Sequence, residues 1–184
     1  MLFSSLFFGL DTIGFSGSRS LSGAGLAALT SLFPLVPAGC HVVVGCAGGA
    51  DLAVRSAFGD GRLCLFAVDS GRFGVGRGAF ARRSVAIVEA VPAGGLLVVV
   101  PGSVSPPPGV VPSRSFRGGG SGSWGSAALA LGTGRRVLLW LPACDERSPD
   151  DSFVDSRVKT AKRILAQAHR LEQIAKRCLE QVDE

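Results

Sequence analysis

The sequence predicts an α/β fold: a doubly wound, mostly parallel sheet of about five strands, with a long amphipathic helix at the C-terminus. Three observations predict it. Apolar runs of strand length recur along the chain, each followed by a glycine turn and a helix-compatible segment. The strand candidates are apolar throughout rather than at every second residue, the pattern of strands buried on both faces. Of 184 residues, 47% are hydrophobic and 18% charged, which supplies a core and excludes a disordered chain.

The elements follow in order. Asp11 to Gly17 is the first strand candidate, and Leu21 to Leu35 the first helix, with Leu26, Leu29, Leu32 and Phe33 at helical spacing before Pro37. His41 to Gly45 is a continuous β-branched run, hence a buried strand, and Gly49 to Phe58 reads as a helix with Leu52, Ala53, Val54 and Ala57 apolar. Arg62 to Val68 is the third strand. Ala79 to Val91 is a helix with Phe80, Val85, Ile87, Val88 and Val91 facing inward, and Leu96 to Val100 is the fourth strand, stopped by Pro101-Gly102. Ser121 to Leu131 makes another helix and Arg136 to Leu141 a fifth strand.

Four segments stand outside this rhythm. Residues 1–10 form an apolar leader that lacks the basic start of a signal peptide and is broken by Asp11; it is expected to pack beside the first strand. Residues 103–120 are rich in Pro, Gly and Ser and read as a mobile loop within a domain spanning 11–142. A linker covers 143–151. Residues 152–184 carry apolar side chains every three or four positions, so a helix of ~30 residues would extend ~45 Å. Such a helix either packs back along the domain or serves self-association or partner docking.

The net charge of +5 favours anionic partners: nucleotides, nucleic acid or a membrane surface. No run approaches the ~18–20 apolar residues of a membrane span, so no membrane partner is expected. Cys40, Cys46, Cys64, Cys144 and Cys178 lack zinc-ligand spacing, and His41 and His169 are far apart in sequence; no metal site is expected. Reduced thiols in a cytoplasmic protein are the expected state.

The chemistry concentrates in three glycine-rich turns. Gly45 to Asp51 follows a buried strand and opens a helix, where backbone N–H groups and the helix dipole hold phosphate; here Gly48 and Gly49 are the phosphate floor. Its spacing matches neither the dinucleotide fingerprint nor the triphosphate loop with its Lys. Asp51 either caps the helix or touches a ribose hydroxyl. Gly17-Ser18-Arg19, at the end of the first strand, offers backbone donors, a hydroxyl and a guanidinium to one anion. Gly120-Ser121-Gly122-Ser123 runs into a helix start and offers a second anion-holding turn, with Trp124 as a face for a base. On this reading Arg19→Ala and Gly49→Val each weaken ligand binding without unfolding the protein.

The order of these turns resembles the SLOG superfamily of Rossmann-like domains, which includes the DNA-processing protein A (DprA) and the LOG-type nucleotide hydrolases. The resemblance covers residues 11–142 and rests on Gly17-Ser18-Arg19, on the Gly-Gly-Ala-Asp turn ending at Asp51, and on the run from Gly120 to Val137. It implies a bound nucleotide or nucleotide derivative, in a sensor or carrier. LOG-type hydrolysis uses an Arg and a Glu. Arg82 or Arg83 could match that Arg, with Arg82 taken as the closing cation, but the glycine loop around Ser123 holds no Glu, which argues against an enzyme. A DprA-like alternative is single-stranded DNA binding by Arg19, Arg82, Arg83, Arg114 and Arg117. A nucleoside monophosphate phosphoribohydrolase is the second alternative.

Overall fold

Continuous runs such as His41 to Gly45 and Leu96 to Val100 have no polar side to give to water, so both faces must be covered. The computed structural model, which describes residues 4–59 and 61–141, covers them with helices on each side. The elements are α1 (Ser4–Phe7), β1 (Thr12–Gly17), α2 (Gly23–Leu32), β2 (His41–Gly45), α3 (Ala50–Ala57), β3 (Leu63–Phe66), α4 (Arg77–Ala90), β4 (Leu96–Val100), α5 (Gly122–Gly132) and β5 (Arg136–Leu139). A single 3₁₀ turn, Phe33–Leu35, follows α2 at Pro34.

The five strands form one sheet in the order β3-β2-β1-β4-β5, and every pairing is parallel. This is the Rossmann-like α/β arrangement, with the chain winding outward from β1 in one direction and, after the α4 crossover, in the other. Side chains alternate between the two layers as the pleat requires. Ile13, Phe15, Val42, Val44, Leu96, Val98 and Val100 pack under α2 and α3, through Leu29 and Val54. Val43, Leu97 and Val99 pack on the other face under α4 and α5, through Ile87, Val88, Leu129 and Ala130. Burying each such aliphatic side chain stabilises by roughly 1.5–3 kcal/mol.

Local signals set the ends. Ser22 caps α2 by accepting from the Gly25 N–H at 3.1 Å, so that helix starts two residues later than the apolar periodicity suggests. Edge strands β3 and β5 are shorter than their apolar runs, while the interior strands β2 and β4 match theirs. Three apolar helix residues are exposed, Leu26, Leu52 and Phe80, at 44%, 52% and 41%, although Phe80 was expected to face inward. In the leader, Phe7 is fully buried and joins the core on the α2 side. The Pro/Gly/Ser-rich segment is held along α5. Val110 is buried against Trp124 and Ala128, and the Ser113 N–H donates to the Ala128 carbonyl at 3.2 Å.

Among the described residues no helix is long and apolar enough to cross a membrane. The linker and the C-terminal helix expected over 152–184 lie outside the described residues.

Candidate functional site

Between β1 and β4 the winding reverses, and the connections leaving these two strands diverge. A cleft opens at their carboxyl ends, as it does at such switch points in open α/β sheets. It measures about 920 Å³ and is bounded by Ser16 to Arg19, by Ala47 and Asp51, by one face of α4, and by Gly102, Ser103, Phe116 and residues 118–123.

The β1 wall is fixed by backbone pairing. The Ser18 N–H donates to the Val100 carbonyl at 2.8 Å, continuing the β1–β4 ladder past Gly17. The Ser18 hydroxyl accepts from the Ser20 N–H and donates to the Ser20 carbonyl, closing a tight turn. Gly17, Ser18 and Arg19 all border the cleft.

The turn between β2 and α3 does something other than the sequence suggests. Gly49 sits at φ +59°, and a Cβ there would run into the Ser18 carbonyl and the Arg19 backbone. The glycine is required so that this turn can press against the β1–α2 turn. The Ala50 N–H, at the start of α3, donates to the Ser18 carbonyl at 3.0 Å. Arg55 donates to the Gly45 and Ala47 carbonyls at 2.8 and 3.0 Å and ties the turn from behind. Gly48 and Gly49, expected as a phosphate floor, are not among the residues that line the cleft, and Gly49 packs against the β1–α2 turn. A valine at Gly49 would meet that backbone, so Gly49→Val is expected to disturb the fold as well as the turn.

Asp51 is 4% exposed, in the first turn of α3 but not at its cap, which is Gly49. Its Oδ2 reaches back to accept from the Ala47 N–H at 3.1 Å and lies 3.8 Å from Nη1 of Arg83. Burial pushes the carboxyl above its ordinary range; Arg83, the Ala47 N–H, Arg55 and Arg19 oppose that rise without cancelling it. Gly45, at the end of β2, leaves room for the pair: a Cβ would stand 2.9 Å from the guanidinium carbon of Arg83.

Arg83, rather than Arg82, is the α4 cation at the cleft. Adjacent helical residues point about 100° apart. Arg82 is turned away, donating from Nε to the Phe73 carbonyl at 2.6 Å beside Gly74 and Gly78. Arg83 is 9% exposed, with Nη1 3.6 Å from the Cys46 Sγ, and its Nε has no hydrogen-bond partner. Phe80, Arg83, Ser84 and Ile87 share the lining face at i, i+3, i+4 and i+7. That spacing is readable in the sequence, and a charged and a polar residue in register with Phe80 and Ile87 were the available signal.

The fourth wall is the start of α5. Ser121 caps it, accepting from the Trp124 N–H at 3.4 Å, and its hydroxyl lies 3.2 Å from that of Ser123. The first-turn N–H groups of Gly122 and Ser123 have no acceptor within the helix and sit at the positive end of its dipole. Gly120, Ser121, Gly122 and Ser123 all border the cleft. Trp124 does not: its indole N–H donates to the Ser103 hydroxyl at 2.9 Å and its ring packs on Val110 and Ala128. The expected base-stacking face is therefore spent on holding the 103–120 segment. Arg114 and Arg117 lie exposed on that segment, away from the cleft lining.

The structure thus brings together Gly17, Ser18, Arg19, Asp51, Arg83 and residues 120–123, and adds Ser84, Phe80, Phe116 and Ser103. Chemically the cleft offers hydroxyls, a helix start and two guanidinium groups to an anion. Among the described residues no cluster of His, Cys, Asp and Glu is suited to hold a metal ion. No family model matches the chain, and no curated protein matches its sequence.

Proposed function

We propose that the switch-point cleft binds a nucleotide or nucleotide-derived phosphate ligand, in the manner of a SLOG-type sensor or carrier domain. One observation carries this reading. Arg83 is a nine-tenths buried guanidinium at the cleft whose counter-ion, Asp51, lies as far as 3.8 Å away and whose Nε has no partner. A buried cation so weakly compensated is costly to keep, unless an incoming anion completes its shell. The serine-capped start of α5 faces the same cleft and favours the same charge. In this reading the segment 152–184 serves assembly or partner docking.

Hydrolysis of a nucleoside monophosphate would need a carboxylate at the sugar. Asp51, the acidic residue lining the cleft, is already engaged by the Ala47 N–H and Arg83. Binding without turnover is accordingly favoured, and prolonged incubation with nucleoside monophosphates is expected to release no free base. Single-stranded DNA binding would release several counterions and make affinity fall steeply with salt. A compact ligand held by Arg83 and one helix start gives a shallow dependence instead.

The test is native mass spectrometry of the purified protein, followed by calorimetric titration with nucleoside mono- and diphosphates. A stoichiometric phosphate-bearing adduct, or saturable binding at one site, is the expected result. A protein that carries no adduct and gives no heat with any of these compounds overturns the reading.

A further inference from the structure

Phe80 departs from the rest of α4. Ala79, Ile87 and Val88 bury themselves against the sheet, whereas Phe80 stands 41% exposed at the cleft. Arg19, which comes from the β1 wall, lays its guanidinium carbon 4.8 Å from the Phe80 ring centroid. Arg83 approaches the same ring at 6.0 Å. Two cations from two walls thus converge on one aromatic ring at the cleft. Among the described residues the Arg19 guanidinium donates no hydrogen bond, and it lies over this ring.

Phe116, the other aromatic residue of the lining, is placed differently. Its ring is wedged beneath the start of α5, where a Cβ on Gly125 would stand 2.7 Å from it. Phe116 fills space; Phe80 presents a face.

A guanidinium on an exposed ring is a weak contact, and a charge-assisted bond to phosphate is stronger. An anion entering the cleft therefore takes Arg19 from Phe80 and uncovers the ring it was lying on. We infer that Arg19 and Phe80 form a ring-recognition subsite beside the anion site, so that the ligand is a phosphate carrying a planar aromatic ring and not a ringless sugar phosphate. This rests on the reading of the cleft as a phosphate site and assigns Phe80 as its specificity-determining residue. Stacking tolerates any base, since every base has a π-face, so the subsite selects for a ring without naming one.

The test is calorimetric titration of the full chain with two probes, adenosine 5′-monophosphate and ribose 5-phosphate, in the wild type, Phe80→Ala and Phe80→Leu. Phe80→Leu keeps apolar bulk at a half-exposed helical position, so it guards against a trivial loss of fold. The wild type is expected to hold the adenosine compound at least roughly tenfold more tightly than ribose 5-phosphate, the scale of one base stack. Both variants are expected to lose that preference without weakening ribose 5-phosphate, because Arg19 is no longer held on the ring. Equal wild-type affinity for the two probes, or an equal loss of both in the variants, overturns the inference and leaves the phosphate site standing. A wild type that binds neither probe overturns both.

Discussion

Two helix starts in this protein look alike in sequence and differ in what they do. Gly48-Gly49 leads into α3, and Gly120-Ser121-Gly122 leads into α5; both follow the sheet's carboxyl edge and both are rich in residues without bulk. At α3 the protein fills its own turn: the Ala50 N–H goes to the Ser18 carbonyl, the Ala47 N–H to Asp51, and Arg55 staples the turn's carbonyls. At α5 the cap is a serine hydroxyl, and Gly122 and Ser123 border open space. Glycine thus has two causes here. One is close packing of backbone on backbone, the other is access for something from outside. The arginines divide in the same way: Arg55, Arg62, Arg82, Arg135 and Arg136 donate to loop carbonyls, while Arg19 and Arg83 face the cleft.

Arg83 stands between the two starts, pairing with Asp51 of α3 and sharing the cleft with α5, so the contrast breaks there first. Arg83→Met leaves the buried Asp51 carboxyl without its partner and is expected to destabilise the fold at neutral pH by about 3–5 kcal/mol, read from urea unfolding. Adding Asp51→Asn removes the orphaned carboxyl and should recover most of that loss. Phosphate-ligand binding should stay absent in both. A double variant that regains affinity along with stability would mean Arg83 supports the fold and not the ligand.

The next largest effect is expected at Gly49. Valine there forces a β-branched residue into the left-handed region and against the Ser18 and Arg19 backbone, at a cost on the order of 3 kcal/mol. At Gly122, where the nearest atom to an added Cβ is the Ser84 Oγ at 4.0 Å, alanine should be neutral or slightly stabilising. Similar melting behaviour for Gly49→Val and Gly122→Ala would erase the distinction between a packed turn and an open one.

The fold was legible in the sequence because burial on both faces writes itself as uninterrupted apolar runs. The limits of β2 and β4 follow from His41 to Gly45 and Leu96 to Val100 to the residue. The edge strands were less legible: with one side unpaired, β3 stops at Phe66 and β5 at Leu139 although apolar residues continue. The site was half legible. Gly17-Ser18-Arg19 and Ser121-Gly122-Ser123 announce themselves as polar turns at strand and helix ends. Which of Arg82 and Arg83 enters the cleft depends on a rotation of one residue, and that is set by where α4 packs. Gly49 could not be told from a phosphate-binding glycine, since a carbonyl of the same chain and a ligand oxygen ask the same of it.

A sharper probe of the open start is Gly122→Asp. An acidic residue in the first turn complements the helix dipole and should stabilise α5 by about 0.3–1 kcal/mol. The same carboxylate competes for the ground an anion would occupy, so phosphate-ligand affinity should fall roughly tenfold or more by calorimetry. Stability and binding moving in opposite directions separates a site from a scaffold. A variant that is more stable and binds as before would show that the ligand does not approach α5.

The smallest expected effect is a dependence on pH, and Asp51 decides its sign. Burial raises its carboxyl above the ordinary value of 3.8, so the folded protein holds this proton more tightly than the unfolded chain does. Its contribution to stability is then fully present below that ordinary value and is lost as pH rises through the raised one. The charged form also sets a negative group beside Arg83, which weakens the cleft's hold on an anion. Ligand affinity should therefore rise severalfold as pH falls through the raised value. The phosphate of the ligand titrates too, so the comparison must be with Asp51→Asn, in which only the ligand's own titration remains. The difference between the two affinity profiles isolates Asp51, and unfolding measured across the same pH range should show the wild type losing ground to the variant as pH rises. Parallel profiles would place Asp51 wholly within the packed turn of α3, electrically remote from whatever occupies the start of α5.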